Sequence, residues 1–272
     1  MTFIASLKVK NGIMQVSDSL ELQTGAISRF DDFKELLDTK GIDEENDEVK
    51  LTAKEIWETF KPERIKNIDG AKKTFKVFDF GCIQVAGDVL INGTEVKNII
   101  QQLIDTLTPR LPQTHQQIVD ELINIVKPYF PDREIDEFEK SDKHIPSTDF
   151  IYSHYEPTTN EKFFHKICYS KNGIHRKYIY SDRYESIENW IYQCSGMVGL
   201  AHNFSSLNHS QILRDINFKN GFLILKHAMD LAILTEKINY NVPGVGGTIN
   251  YSVIDKNGFR FIKTVDELPE DE

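Results

Sequence analysis

Met1-Thr2-Phe3-Ile4-Ala5-Ser6-Leu7-Lys8-Val9-Lys10-Asn11-Gly12-Ile13-Met14-Gln15-Val16-Ser17-Asp18 is the stretch on which the fold turns. Residues 3–9 and 12–17 read as two short strands joined at Lys10-Asn11-Gly12, where the Asn-Gly pair offers the positive φ angles of a tight hairpin. Phe3, Ala5 and Leu7 share one face of the first strand, and Ile4, Ser6 and Lys8 the other. Thr2 therefore opens a paired strand, and the hairpin carries Asp18 back toward the end where Thr2 lies. A Thr after an initiator Met is readily exposed, because Met aminopeptidases remove Met before small residues. An α-amine, ordinarily titrating at about 7.7–8.0, then lies beside the β-hydroxyl of the same residue. Such an amine can take the hydroxyl proton at neutral pH, which makes the pair a nucleophile with its own base. Many chains begin Met-Thr, so this feature takes its meaning from the rest of the chain.

Ala71-Lys72-Lys73-Thr74-Phe75-Lys76-Val77-Phe78-Asp79-Phe80-Gly81-Cys82-Ile83-Gln84-Val85-Ala86-Gly87-Asp88 reads as a second pair of strands leading into a helix over 94–107. Two more strands flank Asp255-Lys256-Asn257-Gly258 after Val245-Gly246-Gly247. With Cys194-Ser195-Gly196 these segments form an ordered set across most of the chain. In that order they resemble the proteasome β-subunit family of N-terminal-nucleophile hydrolases, which includes the bacterial ring proteases. The resemblance implies an α/β (α+β) fold, a four-layer αββα sandwich of two antiparallel sheets, as one proteasome-like domain over 1–272 with a helical insertion at about 21–70.

Carried over residue by residue, the resemblance makes Thr2 the nucleophile and Asp18 the acid that pairs with a catalytic lysine. Lys73 takes the place of that lysine, Gly87 of the glycine whose N–H forms the oxyanion hole, and Ser195 of the serine near the terminal amine. Val85, two residues before Gly87, falls where the family's specificity pocket has its floor, which implies an apolar residue on the acyl side of the cut. An ammonium group near the amine favours the unprotonated amine and stabilises developing negative charge. Paired lysines at a strand start are also common as solvated charge, and Lys34 lies sixteen residues after Asp18. Lys73 is preferred because the strand pattern follows it and not Lys34.

The chain departs from the family pattern just before Gly246-Gly247. Where the family has an Asp and a Ser bracing the amine, this chain has Val242 and Val245, whose side chains cannot hydrogen-bond. Asn239 or Asn241 stand nearby as substitutes, with Pro243 and Gly244 reshaping the loop. Glu21 and Leu22 occupy the vicinity of a small hydroxyl residue. These changes bear on turnover more than on fold.

The resemblance implies a threonine-type peptidase acting on peptide or protein substrates, in a homo-oligomeric ring, with an ATPase unfoldase as a possible partner and no cofactor. Two rivals stay open. One is a catalytically inactive structural or binding subunit, which Val242 and Val245 favour; the other is a small-molecule amidase using the same nucleophile.

The remaining features bound these readings. With 272 residues, 40% hydrophobic and 11% aromatic, the chain has material for one large core. The net charge of −10, from 42 acidic and 32 basic residues, opposes non-specific nucleic-acid binding. No apolar run is long enough for a membrane span, and the start lacks a signal-peptide layout, so a cytoplasmic protein is expected. Cys82, Cys168 and Cys194 are widely spaced and suggest neither a disulfide framework nor a zinc site. The eight histidines show no metal spacing: His154 and His165 lie in strand-like segments, and His202 and His209 are seven apart. Gly244-Val245-Gly246-Gly247 is not a phosphate loop, because no Gly-Lys-Ser/Thr comes after it.

Within the insertion, Phe30, Phe33, Leu36 and Leu37 mark an amphipathic helix stopped by Gly41. An acidic loop over 43–48 comes next, and Thr52-Ala53-Lys54-Glu55 is a capping box opening a helix with Ile56, Trp57 and Phe60, ended by Pro62. This two-helix excursion is placed to shade a cleft, brace a neighbouring subunit or decorate the surface. Beyond it the pattern gives helices over 94–107 and 113–129, an acidic loop over 132–143, strands over 149–156, 163–169 and 176–181, and a helical region after Ser195 through Leu200. A long helix over 221–238 should bury Leu223, Leu225, Ala228, Met229, Ala232 and Ile233, and the tail 266–272 should fray.

Overall fold

A computed structural model describes residues 2–27, 30–40, 51–91, 93–111, 114–129, 148–170, 173–181, 192–196 and 216–270. The chain divides into two compact units, 1–21 with 69–272, and 22–68. In chain order the strands are β1 (Phe3–Val9), β2 (Gly12–Ser17), β3 (Glu21–Ile27), β4 (Lys61–Ile68), β5 (Thr74–Val77), β6 (Gly81–Gly87), β7 (Leu90–Ile91), β8 (Thr94–Glu95), β9 (Thr148–Glu156), β10 (Glu161–Ser170), β11 (Gly173–Ser181), β12 (Tyr192–Gly196), β13 (Asn250–Asp255) and β14 (Gly258–Ile262). The helices are α1 (Phe30–Lys40), α2 (Ala53–Glu58), α3 (Val96–Leu107), α4 (His115–Val126) and α5 (Phe218–Asn239).

The smaller unit holds α1, α2 and a two-stranded sheet of β3 and β4. Thr52 and Glu55 make the capping box expected at the start of α2, Thr52 N–H donating to Glu55 and Glu55 N–H to Thr52 Oγ1. The two strands correct the reading of this segment as helices alone. Lys61-Pro62-Glu63-Arg64-Ile65 has no apolar alternation, and a two-stranded ribbon tolerates the proline that a central strand would reject. The acidic loops at 43–48 and 132–143, the segment 197–200, and His202 and His209 lie outside the described residues.

The larger unit is a mixed fold built on two five-stranded sheets, ordered β12-β1-β2-β13-β14 and β11-β10-β9-β6-β5, with every recorded pairing antiparallel. Strands β1 and β2 pair from Ile4↔Ser17 to Val9↔Gly12, and both are buried throughout. Their turn differs from the sequence expectation, since positive φ is found at none of Lys10, Asn11 and Gly12. Gly12 serves close approach instead: a Cβ there would lie 2.2 Å from the Ile254 carbonyl oxygen and 2.9 Å from the Phe218 ring.

Burial on both faces follows from what each face meets. Phe3, Ala5, Leu7 and Val9 join one apolar cluster with Phe222, Leu225, Ala228, Met229 and Ala232 of α5. On the opposite face, Ile4 packs on Ala86 and Ile151 of the second sheet. Beside it the contact is polar and satisfied: Ser6 Oγ donates to Gln84 at 2.7 Å, Gln15 to Ser153 at 3.1 Å, and Thr74 Oγ1 to Ser17 at 2.9 Å. The second sheet places Ile83, Val85, Phe150, Tyr152 and Ile167 against the apolar faces of α3 and α4. Helix α5 corrects one expected core position. Leu223 is 43% exposed, because it lies two residues, about 200°, from Leu225 on the buried stripe. At the tail, 265–267 form a 3₁₀ turn and Leu268 packs on the α5 cluster.

A histidine cluster fixes the start of α4 to the second sheet. His115 Nδ1 lies 2.8 Å from His165 Nε2, and its ring stacks on Phe163 at 3.9 Å. Next to it, Tyr152 Oη is 3.1 Å from His154 Nδ1. Burial, helped by His115 and opposed by Glu156, pulls the His154 imidazole down to about 4. Between that value and the ordinary 6.5, the unfolded chain binds a proton at this site that the folded chain does not, so stability falls as pH falls through the window. The expected loss from His154 is about 3 kcal/mol between pH 7.5 and pH 4. Urea unfolding at both pH values measures it, and His154→Gln should remove that part of the slope.

Candidate active site

Antiparallel pairing brings distant segments to one end of the two sheets. The start of β1 lies beside the ends of β2 and β12, with Ile4 opposite both Ser17 and Ser195. In the second sheet the end of β6 lies beside the start of β9, with Gly87 opposite Thr148. The packing of Ile4 on Ala86 and Ile151 holds the two ends together.

Asp18 is the hub of this end and is fully buried. Its Oδ1 accepts from Phe3 N–H at 2.8 Å and from Lys73 Nζ at 2.9 Å. Its Oδ2 accepts from the N–H groups of Leu20 at 3.2 Å and Gly246 at 3.3 Å. One carboxylate thus ties the residue after Thr2, the lysine at the start of β5 and the loop before β13. Lys73, 4% exposed, also donates to the Leu20 carbonyl, and its own carbonyl accepts from Val85 N–H at 2.9 Å. Burial pushes the Asp18 carboxyl up against the pull of Lys73, and pulls the Lys73 ammonium down against the pull of Asp18. Low dielectric therefore loosens the Lys73 proton, while the ion pair retains it.

Of the other expected residues, Thr2 precedes Phe3, Ser195 stands opposite Ile4, and Val85 N–H donates to the Lys73 carbonyl. Thr2 is 4% exposed, and its carbonyl packs on Gly196: a Cβ at Gly196, whose φ is +94°, would lie 1.8 Å from that oxygen. Ser195 is buried and its hydroxyl donates to Asp149. Gly87 is exposed, with φ +105°, directly after Ala86. Val85 is buried in the cluster shared with α3. Lys34, the alternative lysine, is exposed on α1.

Val245 is buried in the α5 cluster and Val242 is half-buried, while Asn239 and Asn241 are exposed. The loop contributes backbone instead, Gly246 N–H to Asp18 and Gly246 carbonyl to Ser19 N–H. Glu236, fully buried, accepts from Gly244 N–H at 2.6 Å and fixes the loop.

Sequence reasoning missed Asp69, Asp149 and Lys166, and read Gly196 only as part of Cys194-Ser195-Gly196, not as the seat of the Thr2 carbonyl. Asp69 accepts from the Ser19 hydroxyl and from the N–H and hydroxyl of Thr248, both at 3.2 Å, clamping the residue next to Asp18 to the start of β13. These hydrogen bonds hold its carboxyl below the usual range, Ser19 first. Asp-Gly before a strand reads only as a turn, and nothing local marks it as a clamp. Among the described residues, no group of three or more acidic, His or Cys side chains is placed to hold a metal, and no helix is long and apolar enough to cross a membrane.

No protein-family model and no curated protein matches the chain. Among solved structures it is similar to the Anbu (Gly-1) mutant from Hyphomicrobium sp. strain MC1, at 11% identity and a TM-score of 0.52, over 98% of this chain and 89% of that one. Anbu is a bacterial proteasome-like protein, and the likeness shows that this chain has a distantly proteasome-like fold.

Proposed function

We propose that the chain is an N-terminal-nucleophile hydrolase, a threonine-type peptidase with Thr2 as nucleophile, on a four-layer αββα sandwich. The observation that carries this reading is the buried Asp18 carboxylate joining Phe3 N–H to Lys73 Nζ. It fixes the backbone next to the nucleophile and places a cation at the same point. The helix-side clusters on both sheets support the layering.

The reaction requires that whatever precedes Thr2 is removed. The Thr2 amine then takes the hydroxyl proton as Oγ adds to the substrate carbonyl carbon. Charge on the carbonyl oxygen is met by Gly87 N–H, a donor type worth roughly 3–4 kcal/mol in the transition state. Lys73, kept cationic by Asp18, adds to the field that favours this charge. The C–N bond breaks as the amine returns its proton to the leaving nitrogen. Water then adds to the acyl ester, the amine takes its proton, and the acid leaves with Thr2 restored. Val85 lines the acyl-side pocket in this reading, and substrates are peptides or proteins with an apolar residue there. A homo-oligomeric ring in the cytoplasm, fed by an ATPase unfoldase, completes the proposal.

Intact mass of the purified protein, with and without a peptide epoxyketone, tests it. The inhibitor needs both the hydroxyl and the free amine of an N-terminal Thr to close its ring. The expected result is loss of Met1 and one adduct, absent in Thr2→Ala. A retained Met1 refutes the nucleophile reading. Met1 lost with no adduct supports the rival that the apolar Val245 favours, a non-catalytic subunit.

A further inference from the structure

Ser195 is held from the opposite sheet. Asp149 is the second residue of β9, with Ala86 and Cys168 as its cross-strand neighbours. Phe150 faces the α3–α4 cluster, whereas Ile151 packs on Ile4. By the two-residue period Asp149 shares the face of Ile151 and looks toward the first sheet. Ser195, opposite Ile4, looks back, and its hydroxyl donates to Asp149 Oδ2. Lys166 on β10 fixes the carboxylate, its Nζ 3.1 Å from Oδ2 and 3.4 Å from the Cys194 carbonyl oxygen. Burial pushes the Asp149 carboxyl up, but Lys166 and the hydrogen bonds from Ser195 and Cys168 outweigh it and hold the group below its usual value. Asp149 is therefore a carboxylate at neutral pH, able only to accept, and Ser195 must be the donor.

A serine hydroxyl has one proton and two acceptor sites. We propose that Asp149 is a positioning residue: by taking the only proton of Ser195 it leaves that hydroxyl able only to accept from the Thr2 amine, and so reserves the amine lone pair for the Thr2 hydroxyl proton. A serine free to rotate would donate its proton to the amine and occupy the base. Asp149 thus supplies, from β9, the carboxylate that the valine-bearing loop before Gly246 does not provide. This inference rests on the reading of Thr2 as nucleophile and of Ser195 as the serine beside its amine.

The test compares wild type, Asp149→Asn, Asp149→Glu, Ser195→Ala and the double variant Asp149→Asn/Ser195→Ala. Labelling by a peptide epoxyketone is timed by intact mass between pH 6 and pH 9. Asp149→Asn, whose amide can donate to Ser195 as well as accept from it and so no longer commits the serine proton, should slow labelling on the order of 100-fold, including at the alkaline end where the amine is neutral. Asp149→Glu should restore most of the rate. In the Ser195→Ala background Asp149→Asn should add little further loss, because the two act in series. Wild-type labelling in Asp149→Asn, or losses that multiply in the double variant, would overturn the proposal.

Titration of the Thr2 amine, followed by NMR through its ¹³C-methyl group, needs no turnover. Removing the nearby negative charge should move its midpoint to lower pH in Asp149→Asn. If wild type takes no label, a midpoint that moves still supports the hold of Asp149 on the amine, and one that stays overturns it. Retained Met1 refutes the nucleophile reading and this inference with it, an outcome distinct from an unaltered Asp149→Asn.

Discussion

Lys73→Met is expected to remove about 3–5 kcal/mol of stability, because it strips one partner from a buried ion pair and leaves the other charge behind. Asp18 is fully buried and Lys73 only 4% exposed, so water cannot replace the lost ammonium. That loss is a large share of a typical total of about 5–15 kcal/mol. The variant should also show a telling pH dependence. Burial already pushes the Asp18 carboxyl up, and in the variant only backbone N–H groups oppose it. The folded state then keeps a proton that the unfolded state releases above about pH 3.9. A folded state that binds more protons loses stability as pH rises, so the deficit should be larger at pH 8 than at pH 4.5. Adding Asp18→Asn removes the stranded charge and should recover part of the loss at pH 8, a non-additivity that urea unfolding measures directly. A Lys73→Met variant within about 0.5 kcal/mol of wild type at both pH values, a surface-like effect, would show that the pair is not buried. In the proposed reaction the same variant takes no epoxyketone label, whether or not Asp18→Asn restores its stability.

The two ends of this site differed in how far the sequence revealed them. The spans of β1 and β2 were legible in the sequence but their turn was not, since Asn11-Gly12 takes none of the positive φ angles that such a pair suggests. Their register in turn placed Asp18 beside Thr2. The pairing of Lys73 with Asp18 was legible only through the resemblance and the strand pattern that follows Lys73, because 55 residues separate the two and spacing alone points to Lys34. Asp149 and Lys166 were not legible at all. Each sits on a strand marked only by its apolar residues, and their role comes from contacts across two sheets. The ribbon of β3 and β4 was missed for the opposite reason, as its residues alternate too weakly to announce strands. Periodicity reports what one element buries, while a polar constellation is written in the register between elements.

Gly196→Ala is expected to combine two separable costs at the point where β12 meets Thr2. The first is conformational, since φ is +94° and an L side chain there is strained by roughly 1–2 kcal/mol. The second is steric, since the new Cβ would lie 1.8 Å from the Thr2 carbonyl oxygen and 2.7 Å from its carbon. Backbone atoms cannot swing aside as a side-chain tip does, so the start of β1 must move, at about 1–3 kcal/mol more. Gly70→Ala isolates the first cost, because its φ is +99° and nothing lies within 4 Å of the added Cβ. Urea unfolding should therefore find Gly196→Ala the more destabilised of the two. The consequence for chemistry comes through Phe3, which pairs with Gly196 and whose N–H donates to Asp18. A shift of about 1 Å in β1 moves Thr2 relative to Lys73 and slows epoxyketone labelling on the order of 100-fold. Gly70→Ala, with open space around its methyl, should label much closer to the wild-type rate. If both variants lose equal stability and label equally fast, the backbone of Thr2 does not rest on Gly196. The nucleophile would then owe its position to Asp18 alone.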